Sequence, residues 1–129
     1  MYAFSARSSL TYSEAIEAVK KALQEQGFGV LTEIDVSATM KKKLDVDRRP
    51  YIILGACNPS LANQALDAEP DIGLLLPCNV VVREEEDGAT TVAFMDPVAV
   101  LGLVSDPAIG ELAGQVRTRL ESVRDAIAG

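Results

Sequence analysis

Histidine is absent from this 129-residue chain, cysteine occurs twice, and aromatic residues make up only 5% of it. Without imidazole there is no Ser-His-Asp triad, no histidine general base and no metal site that needs a ring nitrogen. Two cysteines in a chain of this size do not make a disulfide framework, so reduced thiols and a cytoplasmic location are expected. With so few aromatics and 48% apolar residues, the core must be built from Val, Leu, Ile and Ala. Positive charge is also short: 12 Lys and Arg against 19 Asp and Glu leave a net charge of −7. That balance argues against nucleic acid as a partner and suits a soluble protein. No stretch approaches the roughly 18 consecutive apolar residues of a membrane span. "MYAFSARSS" has no basic start leading into an apolar run, so neither a secretory signal nor a membrane partner is expected. The length suits one domain over residues 1–129.

Periodicity places the elements. Tyr2 to Ala6 alternates weakly as a strand. Thr11 and Glu14 form a T-x-x-E capping box, followed by Ile16, Val19 and Leu23 at helical spacing, with Gly27 as the stop. "FGVLTEIDV" predicts a half-buried strand with Val30, Thr32, Ile34 and Val36 on one face and Glu33 and Asp35 on the other. "SATMKKKL" predicts a short helix capped by Ser37, with Met40 and Leu44 inward, and "DVDRR" a polar connection. "PYIILGAC" is continuously apolar and predicts a central strand covered on both faces. Asn58 as cap and Pro59 at the first helical position open a second helix, which Pro70 closes. Leu74–Val82 and Thr90–Phe94 predict a hairpin around Asp87-Gly88. Pro77, inside its first strand, implies an edge position, a bulge or a break. "DPVAVLGLV" predicts a loop or short helical turn. In the last helix, Ser105 or Asp106 caps, Pro107 starts, and Ile109, Leu112, Val116, Leu120, Val123 and Ile127 form one stripe. The fold class is α+β: a mainly antiparallel sheet of about five strands packed against two main helices plus short helices, a two-layer sandwich.

With these segments in place, "GFGVLTEIDV", "PYIILGACNPSLANQALDAEPDIGLLLPCNVVV" and the Asp96-Pro97 step resemble the bacterial and archaeal domain-of-unknown-function family numbered 302. The most specific parts are Ala56-Cys57-Asn58-Pro59 and Pro77-Cys78-Asn79, and the resemblance covers nearly the whole chain. It implies a small α/β sandwich that tends to form homodimers. It implies no established reaction, so no catalytic residue carries over.

The residues themselves single out Cys57, Asn58, Pro77, Cys78 and Asn79 as a candidate ligand-binding group. Cys57 should end a buried strand just before a helix N-terminus, whose partial positive charge favours a thiolate. Were the two thiols to converge, they could act as a redox pair or hold a soft metal such as Cu(I). The plainer alternative is two inert, buried thiols. Asn58 reads chiefly as a cap. Asn79, among Leu76, Val80, Val81 and Val82, must find a partner or face solvent.

A second candidate is the basic stretch Lys41, Lys42, Lys43, Arg48 and Arg49, which could attract an anion or an acidic patch such as Glu84–Asp87 of a second copy. The plainer alternative there is a solvated helix face. No phosphate-binding loop, nucleophile elbow or paired carboxylates stand out, so no catalytic residue, metal or cofactor is assigned. Two functions remain open: a homodimeric domain that binds a small ligand or a partner without catalysis, and a thiol enzyme or redox sensor using Cys57 and Cys78. A purely structural role for these residues is the third.

Overall fold

The computed structural model describes residues 1–129. Its elements run β1 (Ala3–Ser8), α1 (Tyr12–Glu25), β2 (Gly29–Asp35), α2 (Val36–Leu44), β3 (Tyr51–Cys57) and α3 (Pro59–Ala68). A 3-10 helix (Pro70–Leu75), β4 (Cys78–Glu84), β5 (Thr90–Met95), α4 (Pro97–Leu101) and α5 (Pro107–Ile127) complete the chain. The five strands form one sheet in the order β1-β5-β4-β3-β2, with every neighbouring pair antiparallel. The α+β two-layer architecture is therefore the expected one.

One face of the sheet carries the core. Leu54, Val80, Val82, Val92 and Phe94 point toward the helices and are fully buried. Onto them α1 sets Val19 and Leu23, and α5 sets Ile109, Leu120 and Val123. Every residue of the predicted α5 stripe is buried, and Asp106 rather than Ser105 caps it, its Oδ1 accepting from the Ala108 N–H at 2.9 Å. Each large aliphatic side chain so buried stabilises the fold by about 1.5–3 kcal/mol as an upper estimate. The α1 capping box also forms: the Glu14 N–H donates to Thr11 Oγ1 and the Thr11 N–H to Glu14 Oε1. Gly27 follows with φ +82, the left-handed geometry that suits glycine at a helix end.

The opposite face has no such cover. Ile53, Val81 and Ala93 on it are half-buried, and Ile34 is 48% exposed. The run "PYIILGAC" thus lies inside the sheet as predicted, but helices cover only its Ile52, Leu54 and Ala56 side. Other expectations need correction at the edge strand β2. A bulge lies between Val30 and Thr32, so Val30 pairs with Ala56 on the core face while Thr32 opposes Gly55 on the open one. Beyond the bulge Glu33 turns to the helix side, where Lys20 meets it at 2.9 Å. Asp35, not Ser37, caps α2: its Oδ1 accepts from the Ala38 N–H and the Ser37 hydroxyl. None of the α2 residues is buried, and Leu44, predicted inward, is 65% exposed. Pro77 does not interrupt a strand. Leu74 and Leu75 belong to the 3-10 helix, and Pro77, after a cis peptide bond, stands just before β4, the central strand.

Candidate functional site

At one end of the sheet, β3 runs out into the start of α3, and β4 begins beside it. Antiparallel pairing sets Ala56 directly across from Cys78 and Gly55 across from Asn79. This register brings the two Cys-Asn words together in space. A cavity of about 40 Å³ opens there. Cys57, Asn58, Pro77 and Cys78 all line it, and the rest of its wall is apolar: Phe28, Leu61, Leu76, Leu101, Leu112 and Val116 among others. The volume decides what fits. Roughly 10–15 Å³ of such space holds one water, so about 40 Å³ takes a group of only a few non-hydrogen atoms.

Each side chain has a local reason for its place. Asn58 is the α3 cap: it is 8% exposed, and its Oδ1 accepts from the Leu61 N–H at 3.2 Å. Pro59 follows at the first helical position, where its missing donor is no loss. Pro77 rests against Gly55, where a Cβ would come within 2.9 Å of its Cγ. Strand alternation sends Asn79 to the opposite face, where it is exposed to solvent and does not line the cavity. Of the five residues singled out from the sequence, four meet here and Asn79 stands apart.

The thiols do not behave as a helix N-terminus alone would dictate. Cys57 is half-buried and Cys78 buried, both unbridged. Burial among apolar groups pushes the Cys57 thiol up from 9.0. Burial first, and then repulsion from Cys57, push Cys78 up to about 12. Burial sets the direction for both, because a thiolate that leaves water loses its hydration. No group of three or more Cys, Asp or Glu side chains converges to hold a metal ion.

The basic stretch is split by the fold. Lys41 is held by Asp45 at 2.9 Å and Asp47 at 3.2 Å, and both carboxylates keep its ammonium protonated to higher pH. Lys42 and Lys43 project into solvent. Arg48 and Arg49 line a separate, wide cleft with Tyr51 and Arg83, into which Asp47 and Glu84 also reach. Arg83, contributed by β4, was not part of the sequence pattern, and it is ion-paired to Glu85. Residues missed at the cavity, namely Phe28, Leu61, Leu112 and Val116, carried only a core signal. The α5 stripe itself was the available clue, since Leu112 and Val116 lie on it one turn apart.

The family described as "Domain of unknown function DUF302" matches residues 4–127. The crystal structure of an uncharacterized conserved DUF302 protein from Bacillus stearothermophilus is similar over 98% of both chains, with a TM-score of 0.91 and 32% identity. An uncharacterized protein of Aquifex aeolicus (strain VF5) is 30% identical over 100 residues, 70% of this chain and 63% of that one. The match thus spans less than two thirds of that relative's length.

Proposed function

This chain belongs to the DUF302 family, and we propose that it is a homodimeric binding domain that takes a small ligand without catalysing its conversion. The observation that carries the reading is the cavity where the β3–α3 junction meets the start of β4. It is apolar and its wall comes from five separate stretches of chain, and apolar concave sites are where small ligands usually bind. The two thiols serve there as small polarizable wall groups. The alternative, a thiol enzyme, needs a lowered thiol pKa near neutrality, and burial moves both thiols the other way. The dimer is supported by the uncovered sheet face, where Ile34, Ile53, Val81 and Ala93 form a row across four strands. In a single copy that row remains in contact with water.

Titration of the ¹⁵N-labelled protein with 1-propanol tests the cavity. Shifts should concentrate at Phe28, Leu61 and Cys78, and Ala62→Leu, which enlarges a side chain of α3 on the cavity wall, should abolish them. Shifts spread over the surface, or unchanged by Ala62→Leu, refute the reading. Native mass spectrometry tests the dimer with Ile53→Lys, which should yield monomer; an unchanged assembly would rule out the sheet face.

A further inference from the structure

At the other end of β3 and β4 from the cavity, the α2–β3 connection and the end of β4 enclose a cleft of about 770 Å³. That is the size of a small-molecule site. Positive charge is scarce in this chain, yet the side chains of Arg48, Arg49 and Arg83 all line this one cleft. Arg83 is tied to Glu85. Arg48 and Arg49 reach no carboxylate and make no hydrogen bond within the chain. The acids of the cleft do not serve them: Asp47 is bound by Lys41 at 3.2 Å, and Glu84 has no ion partner. Two unpaired cations thus share the cleft with one unpaired carboxylate, in a chain of net charge −7. Further donors stand beside them. The segment between α2 and β3 is pinned at both ends, the Val46 N–H donating to the Met40 carbonyl at 3.4 Å and the Glu84 N–H to the Pro50 carbonyl at 3.0 Å. Between those bonds the backbone N–H groups of Asp47, Arg48 and Arg49 find no acceptor in the chain. Tyr51, set across from Arg83 by the strand register, completes the wall with a phenol that bonds to nothing in the chain.

We infer that this cleft binds a small phosphate monoester whose other end carries hydroxyl groups. The site is separate from the apolar cavity, and neither depends on the other. Arginine suits the phosphate, because its planar fork donates two parallel bonds to two oxygens and stays charged at neutral pH. Arg48 and Arg49, with the free amides beside them, hold that group. The carboxylates of Asp47 and Glu84 only accept hydrogen bonds, so the part of the ligand that they meet must offer donors. Hydroxyl groups do so without adding charge, whereas a bare anion would gain nothing there and be repelled by Glu84.

Titration of the ¹⁵N-labelled protein with glucose 6-phosphate, inorganic phosphate and glucose, at low ionic strength where exposed charges are least screened, tests the site. Amide shifts should concentrate at residues 46–51, 83 and 84 and spare Phe28, Leu61 and Cys78. Glucose 6-phosphate should bind tighter than inorganic phosphate and at least about tenfold tighter than glucose, the range of one charge-assisted hydrogen bond. Arg48→Gln combined with Arg49→Gln should weaken both phosphates by about tenfold or more. Lys42→Gln combined with Lys43→Gln removes the same charge outside the cleft and should change binding by less than about threefold. Glu84→Ala should tighten inorganic phosphate and shrink the advantage of glucose 6-phosphate over it. Equal losses in the arginine and lysine variants, or no shifts at residues 46–51, overturn the site. Inorganic phosphate binding as tightly as glucose 6-phosphate overturns the hydroxylated ligand.

Discussion

Gly55→Ala puts one methyl group at the most crowded point of the sheet. Gly55 lies in β3, inside the sheet, opposite Thr32 of β2 and Asn79 of β4. The added Cβ would stand 2.2 Å from Thr32 Oγ1 and 2.9 Å from Pro77 Cγ. The two obstacles differ in kind. Thr32 is exposed and its hydroxyl can rotate away. The Pro77 ring is tied to the backbone at the entry to β4 and has no rotamer to escape into. Relief therefore requires the chain to move. Overpacking of this sort costs about 1–3 kcal/mol, offset by up to about 1 kcal/mol from the stiffer unfolded chain. A net loss of about 1–2 kcal/mol should lower the urea midpoint with the slope unchanged. Adding Thr32→Ala should restore only a minor part, because Pro77 remains. A Gly55→Ala protein as stable as the parent, or full rescue by Thr32→Ala, would refute the assignment of Pro77 as the rigid contact. The same variant also moves a wall of the cavity, so it should weaken 1-propanol binding.

Two further outcomes follow from the ionisable groups. At pH 8, Cys78 with a pKa of about 12 should be ionised about a thousandfold less than an ordinary thiol at 9.0. Iodoacetamide followed by mass spectrometry should label it only after denaturation, and rapid native labelling below neutral pH at either cysteine would revive the thiol-enzyme reading. In acid, backbone N–H groups and neighbouring side chains hold Glu14, Asp35 and Asp87 below their ordinary values of 4.5, 3.8 and 3.8. Their stabilisation is complete above those values and drains away as pH falls through the lower folded-state ones. Asp35→Asn should thus reduce stability at pH 7 and flatten the acid limb of a urea-midpoint profile; an unchanged limb would show that the α2 cap contributes nothing.

Local signals were legible where chemistry is local. The Thr11–Glu14 box, the Asn58-Pro59 and Asp106-Pro107 starts and the α5 stripe all lie where the sequence places them. Each depends on residues within a turn or two. The failures share a different cause. The β2 bulge reversed the faces of Glu33 and Ile34, and nothing in "GVLTEID" marks an extra residue, because a bulge is a property of the pairing with β3. α2 has an amphipathic pattern, yet it has no neighbour deep enough to bury Leu44.

Composition and periodicity by themselves determined an aliphatic, single-sheet α+β domain without imidazole chemistry, since these follow from residue inventory and from repeats of 3.6 and 2. They also marked Cys57-Asn58 and Pro77-Cys78. Only the tertiary structure decided that those words meet, through the Ala56–Cys78 register, and that Asn79 leaves the group by alternation. It also brought Arg119, distant in sequence, to the Gln26 carbonyl at the end of α1. Burial is a sum over the whole fold, and it set the thiols' protonation against the direction that the helix start alone implied.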